Sequence, residues 1–335
     1  MEMETGDASL RELAERRGRL IGAAVDARCL RDDAAYRALL SREFSAVTPE
    51  NALKFEPLRP TRDSYAFDDA DAIFAFAEEH RMAVRGHTLV WQKQLPRWLT
   101  EEVSSPAEAR GILADHIRTV VGRYRGRILA WDVVNEILPL WPILPKSSFW
   151  LRTIGPEVVE LAFRLAHEAD PDARLFLNEI FADALCWKSD RLYRLCSELL
   201  GKGVPLHGVG FQMHRAVAWP PTPERLAANF RRFADLGLEV HVTEMDVRTY
   251  RFFPEWLLGS REDPQRAQVR IYREAMEVVL GDPAVRLFVT WGVTDRYSWI
   301  PGDTGHPDAP LLFDADYQPK PAYFAVRDVL GADPS

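Results

Sequence analysis

The chain has 335 residues, of which 47% are apolar and 27% charged, and a formal net charge of −8 at pH 7. Such a composition supports a large core and argues against disorder. The charge is spread without a basic stripe, which argues against nucleic acid as a partner, and no stretch is apolar for long enough to span a membrane. The first nine residues are acidic and lack the apolar core of a secretory signal. The expectation is therefore an intracellular protein, or a secreted one whose signal has been trimmed. Cys29, Cys186 and Cys196 are odd in number and form no C-x-x-C, so neither a complete disulfide framework nor a zinc ribbon is expected.

In chain order, short β-rich runs alternate with segments of helical period. The first two runs are Leu20–Val25 and Glu43–Thr48. Asp68 is placed to cap a helix carrying Ile73, Phe76 and Ala77 on one face, ahead of the third run, Met82–His87. Leu113, Ile117, Val120, Val121 and Tyr124 recur at helical spacing before the fourth run, Ile128–Asn135. Pro156 stands where a first helical residue belongs and leads toward the fifth run, Arg174–Asn178. Leu192, Leu195, Cys196 and Leu199 make a helix with a buried thiol before the sixth run, His207–Gln212. Leu226, Phe230 and Phe233 face inward from a helix that Gly237 closes, and the seventh run, Leu238–Glu244, follows. Pro264 opens the last of these helices before the eighth run, Val285–Trp291. Alternation without a domain break means a parallel sheet. Eight units in this length favour an α/β fold of the closed (β/α)8 TIM-barrel kind over an open doubly wound sheet, and the G-x-G-x-x-G of the latter is absent.

Barrel enzymes build their sites at the C-terminal ends of the strands. Here the polar residues gather at those ends. The second run leads into Glu50-Asn51-Ala52-Leu53-Lys54. The third ends at His87 and runs on to Trp91 and Gln94, and the fourth ends Asn135-Glu136. The fifth ends Asn178-Glu179, the sixth Gln212 with His214 beyond, and the seventh Glu244 with Asp246 beyond. The eighth ends at Trp291. Any one of these residues can be a solvated strand end, and His87 or His214 can simply tie down a loop. Coincidence at seven of eight ends points to a site. Glu136 and Glu244 lie on the fourth and seventh runs, opposite one another around an eight-stranded barrel. Hydrolysis of a glycosidic bond needs such a pair: one carboxyl protonates the leaving oxygen while the other attacks or activates water from the opposite face. Two unrelated salt-bridged glutamates are the alternative. Asn135 can donate to a sugar hydroxyl, and His214 with Asp246 can form a relay that keeps Glu244 ionised. The ten tryptophans divide between core packing and the flat faces on which sugars stack.

The motifs WDVVNE (131–136), VTEMD (242–246) and WGVTDRYSW (291–299) resemble glycoside hydrolase family 10, the endo-β-1,4-xylanase family. So do ENALK (50–54), RGHTLVW (85–91) and PLLFDADYQPKPAY (310–323), and the likeness runs in family order from about Leu10 to Leu330. The resemblance implies one catalytic barrel over residues 1–335, with its core about 10–330 and no carbohydrate-binding module. It implies retaining hydrolysis of β-1,4-xylan or xylo-oligosaccharides by a monomer, without cofactor or metal. Glu136 matches the acid/base and Glu244 the nucleophile. Asn135 matches the residue that bonds the 2-hydroxyl of the sugar at subsite −1, and His214 and Asp246 match the pair that orients the nucleophile. Glu50, Asn51, Lys54, His87, Trp91 and Gln94 match glycone-side contacts. Asn178 and Gln212 match substrate-site residues, and Trp291 and Trp299 match aromatic walls. A cis peptide after His87 is also implied.

Several positions depart from the family pattern. Gln92 and Lys93 stand where a histidine and a small polar residue are usual. Ile180 and Phe181 replace a tyrosine and an asparagine, and Met213 replaces a glycine. The loop Ile137–Pro145 after the acid/base is apolar, and Trp219 lies in the loop after His214. Two expectations follow. Either the Ile137–Pro145 loop folds back onto Ile180 and Phe181 as packing, or the leaving-group side is apolar and the enzyme is a related retaining β-glycosidase acting on short oligosaccharides or glycosides with a hydrophobic aglycone.

Overall fold

The computed structural model describes residues 8–141 and 148–333. Among the described residues there are nine strands: β1 (Leu20–Val25), β2 (Ala46–Pro49), β3 (Ala83–Val90), β4 (Ala130–Asn135), β5 (Arg174–Glu179), β6 (Gly208–Phe211), β7 (His214–Ala216), β8 (Glu239–Arg248) and β9 (Val285–Thr290). β1 pairs in parallel with both β2 and β9, and β6 pairs in parallel with β8. Eight strands therefore close into a (β/α)8 barrel in the order β1-β2-β3-β4-β5-β6-β8-β9. Strands covered by helices outside and by side chains inside read as nearly continuous apolar runs, which is why they were visible in sequence.

β7 lies outside the ring. Met213 takes a left-handed φ of 60°, which separates β7 from β6. β7 then pairs with the outer end of β8 and brings His214 opposite Asp246. This strand and the extension of β8 to Arg248 were not expected from the sequence.

Local expectations hold where apolar spacing carried them. The helix Pro106–Arg123 buries Leu113, Ile117, Val120 and Val121. The helix Pro223–Ala234 buries Leu226, Phe230 and Phe233. Pro264 opens the helix Pro264–Gly281, capped by the Asp263 side chain on the Arg266 N–H. Three helix ends and one strand start differ. Asp68 is the first residue of its helix and not the cap; it shares the first turn with Asp69 and Asp71, where carboxylates meet the positive end of the helix dipole. Pro156 lies two residues ahead of the helix Val158–Ala169, in the preceding turn. Gly237, with φ 80°, closes the turn beyond Ala234 instead of capping the helix directly. Glu43 belongs to the helix Ala34–Glu43, so β2 starts only at Ala46. Cys196 is buried, and all three cysteines are free.

The barrel interior is not purely apolar. Arg85 of β3 and Asp132 of β4 form a doubly hydrogen-bonded ion pair, with Arg85 Nη2 2.5 Å from Asp132 Oδ1. Arg85 Nε is also 3.3 Å from His241 Nδ1. β3 and β8 are not neighbours in the ring, so this contact crosses the lumen. Burial alone would raise the Asp132 pKa, but Arg85 and then His87 outweigh it and hold the carboxyl below its usual range. Among the described residues, no helix is long and apolar enough to cross a membrane.

Candidate active site

The strand tips are laced together past the barrel. The Glu136 N–H donates to the Asn178 carbonyl at 2.9 Å, the Gln212 N–H to the Glu179 carbonyl at 3.2 Å, and the Glu244 N–H to the Gln212 carbonyl at 3.0 Å. The tips of β4, β5, β6 and β8 thus share one ladder, which holds both carboxylates on a rigid backbone. Glu136 itself adopts a left-handed φ of 53°, a conformation uncommon for residues with a side chain.

Glu244 sits among donors. Asn178 Nδ2 donates to its Oε1 at 2.7 Å, and His214 Nε2 lies 3.2 Å from its Oε2. His214 Nδ1 bonds Asp246 Oδ2 at 2.8 Å, and the Trp299 indole N–H bonds the same oxygen at 2.9 Å. Burial opposes charge on His214, but the Asp246 carboxylate and the hydrogen bonds to Asp246 and Glu244 outweigh it and raise its pKa to about 10. At neutral pH the ring is therefore an imidazolium with both N–H groups donating, one to Asp246 and one to Glu244. His87 Nδ1 bonds Asp132 at 2.9 Å and lies 4.0 Å from Glu244 Oε1. The His87–Thr88 peptide is cis.

Glu136 meets amides instead. Gln92 Nε2 donates to Oε2 at 3.0 Å and Gln212 Nε2 to Oε1 at 3.2 Å. Gln212 Nε2 also reaches Asn135 Oδ1 at 3.2 Å, and Asn178 Nδ2 reaches that oxygen at 3.0 Å. Asn178 is fully buried, accepts from Thr243 Oγ1 at 2.7 Å, and spends its amide holding Asn135 and Glu244. It braces the site from below.

On the other side of the mouth, Lys54 Nζ bonds Asn51 Oδ1 at 2.9 Å and lies over the rings of Trp91 (4.9 Å) and Trp291 (5.9 Å). Gln94 Nε2 approaches the same Asn51 oxygen at 3.4 Å. Trp291 packs edge-on to His87 at 5.2 Å, and Trp299 edge-on to His214 at 5.2 Å. Desolvation lowers the Lys54 pKa against the pull of Glu244, Glu50 and Glu136. Desolvation also pushes Glu50 up to about 7, against the pull of Lys54. A raised carboxyl is neutral below that pH and ionised above it. A carboxylate accepts stronger hydrogen bonds from hydroxyls than a neutral acid does. KM for a sugar substrate that reaches Glu50 is accordingly expected to fall as pH rises from 6 to 8, and Glu50→Gln is expected to flatten that change. Parallel KM–pH profiles in the two proteins would rule the effect out.

Comparison with known proteins bears on this arrangement directly. Residues 9–329 match the sequence profile of glycosyl hydrolase family 10. The chain belongs to glycosyl hydrolase family 10. It is 42% identical to endo-1,4-beta-xylanase B of Thermotoga neapolitana over 329 residues, covering 97% of this chain and 92% of that protein. It is also 42% identical to a beta-1,4-xylanase of Dictyoglomus thermophilum over 298 residues, covering 87% and 83%. Xylanase 10B from Thermotoga petrophila RKU-1, solved with xylobiose, superposes with a TM-score of 0.90 at 42% identity and 98% coverage of both chains.

Several contacts of this family 10 site escaped the sequence reading. Glu179 is fully buried and pairs with Lys188 Nζ at 2.8 Å. Its carboxylate also accepts the Leu138 N–H at 3.0 Å and the Ile180 N–H at 3.1 Å. It thereby clamps the chain two residues beyond Glu136. Gly210 is required by close approach: a Cβ there would fall 2.3 Å from Asn178 Oδ1 and 2.9 Å from Thr243 Cγ2. A charged residue inside an apolar run, such as Arg85 or Asp132, is the signal that would have exposed the lumen network, since unpaired charges are rarely buried. Among the described residues, no group of three or more His, Cys, Asp or Glu is arranged to hold a metal ion.

The family 10 departures resolve unevenly. Ile137 is buried and Leu138 packs against the core. Leu140, Trp141, Phe181 and Trp219 are exposed, Phe181 by 55%. Residues 142–145 of the loop expected to fold back onto Ile180 and Phe181 lie outside the described residues.

Proposed function

We propose that this chain is an endo-β-1,4-xylanase that hydrolyses xylan and xylo-oligosaccharides by double displacement with retention, as a monomer. The observation that carries the reading is the contrast between the two carboxylates: Glu244 faces the cationic His214, while Glu136 is met by the amides of Gln92 and Gln212. Two carboxyl groups in unlike surroundings take unlike roles at one pH.

In the first step Glu136 protonates the glycosidic oxygen while Glu244 attacks the anomeric carbon, giving a covalent glycosyl ester and releasing the aglycone. In the second, the Glu136 carboxylate takes a proton from water, which displaces Glu244 from the opposite face. Asn135 accepts both of its amide bonds on Oδ1, so its NH2 is the end that serves the sugar 2-hydroxyl. His214, held by Asp246, donates to Glu244 and aims it. Glu50, Asn51, Lys54, His87, Trp91 and Gln94 hold the glycone, Gln212 bridges the two halves, and Trp291 and Trp299 wall the sugar. The xylanase names of the family 10 relatives and the xylobiose in one neighbour's structure support the substrate.

Proton NMR of xylotetraose hydrolysis is the test. The new reducing end is expected as the β-anomer at early times; an α-anomer would remove the double displacement. The exposed Leu140, Trp141, Phe181 and Trp219 favour a second reading, in which the leaving group is a hydrophobic aglycone. A substrate panel containing xylo-oligosaccharides and alkyl xylobiosides separates the two readings: internal cleavage of the oligosaccharides as the faster reaction supports the first, and preference for long alkyl aglycones over methyl supports the second.

A further inference from the structure

Gln92 stands on a loop pinned at both flanks. The Trp150 indole N–H donates to the Trp91 carbonyl at 3.1 Å, and the Glu56 N–H donates to the Gln94 carbonyl at 2.9 Å. Gln94 turns the chain with a left-handed φ of 47°. The half-buried Gln92 is thereby delivered to Glu136 Oε2 at 3.0 Å, the oxygen opposite the one that Gln212 meets. A carboxylate only accepts, so the NH2 end of each amide faces it; a half-turn of the Gln92 amide offers its oxygen to the protonated acid.

The groups with charge around Glu136 come from several elements. Lys54, which follows β2, and Glu179, which ends β5, interact with its charge, and Lys54 also feels Glu244 of β8. Lys93, beside Gln92, holds its ammonium over the Trp91 ring at 5.5 Å. Gln92 adds to this set a partner that stays neutral at every working pH, in a position where the resemblance described above places an imidazole. The distinction matters because a hydrogen bond to the ionised form lowers a carboxyl's proton affinity modestly, while an adjacent cation lowers it much further.

We propose that Gln92 is a positioning residue that fixes Glu136 through Oε2 and sets its proton affinity with a neutral hydrogen bond. The proposal rests on the acid/base reading of Glu136 given above. Its consequence is a wide alkaline range: Glu136 must carry a proton to begin glycosylation, so kcat/KM falls as pH rises through its pKa, and a neutral partner keeps that fall at higher pH than a cation would.

Two substitutions pull this limb in opposite directions. Gln92→Ala removes a donor to the carboxylate and is expected to move the alkaline limb of kcat/KM for xylotetraose upward by about one pH unit. It is also expected to lower kcat/KM at the optimum by about tenfold through lost positioning. Gln92→His places an imidazolium there below its own pKa and is expected to move the limb downward. With 2,4-dinitrophenyl β-xylobioside, whose phenolate leaves without a proton, kcat/KM is expected to fall by no more than about threefold in either variant. Turnover of that substrate also reports that each variant is folded. Limbs that do not move, limbs that move the same way, or equal losses on both substrates would overturn the role of Gln92. Failure of the unsubstituted enzyme to cleave xylotetraose would instead overturn the substrate reading.

Discussion

Glu244→Ala is expected to lose at least about four orders of magnitude in kcat on xylo-oligosaccharides, because the covalent route closes and no other carboxylate occupies its place. The deleted carboxylate leaves a small cavity beside Asn178 Nδ2 and the cationic His214. Azide suits that cavity in size and charge. With an activated xylobioside, azide is expected to restore part of the rate and to give the α-glycosyl azide, since it attacks from the face that Glu244 used. Glu136 keeps both of its amide partners in this variant, so proton donation is intact. Near-normal hydrolysis without azide, or a β-azide product, would remove Glu244 from the role of nucleophile.

Glu136→Ala is expected to behave in the opposite way. General acid catalysis contributes about 10²–10⁴-fold where the leaving group needs a proton. kcat/KM for xylotetraose is expected to fall by about three orders of magnitude, and that for 2,4-dinitrophenyl β-xylobioside by less than about tenfold. Loss of the base slows the second step too, so the glycosyl ester accumulates. KM is then expected to drop together with kcat on the dinitrophenyl substrate, with a burst of phenolate. Azide should now capture the ester from the open face and yield the β-glycosyl azide. The two variants thus predict products of opposite configuration. Equal losses on the two substrates would argue that Glu136 holds structure and not a proton.

The strands and the rim were legible because parallel barrel strands are continuous apolar runs that end in polar residues. Asn135-Glu136 and Val242–Glu244 show that junction plainly. What the sequence does not display is who meets whom across the lumen. Asn178 reads as a strand-end amide facing substrate; only the three-dimensional ring, and the gap left by Gly210, show it reaching Glu244 and Asn135 from beneath. Glu179 reads as one more rim carboxylate until Lys188, from the following helix, is found beside it. β7 was invisible because three residues carry too little pattern, and it is β8 that provides its partner. Asp68, Pro156 and Gly237 were each misplaced at a helix end by one or two residues, since local capping preferences are weak beside tertiary packing.

The ion pair of Arg85 and Asp132 in the lumen bears on how this protein can be altered. Its contacts run in one chain from Glu239 at the start of β8, through His241, Arg85, Asp132 and His87, to the neighbourhood of Glu244. Well-packed hydrocarbon in place of a buried ion pair often stabilises a fold by about 1–4 kcal/mol. An engineer seeking heat resistance would therefore be drawn to this layer. Yet His87 owes its orientation to Asp132, so a sturdier barrel made that way would lose its hold on the catalytic face. Heat resistance and turnover are in conflict at this layer, and hardening is better sought on the solvent-facing sides of the outer helices.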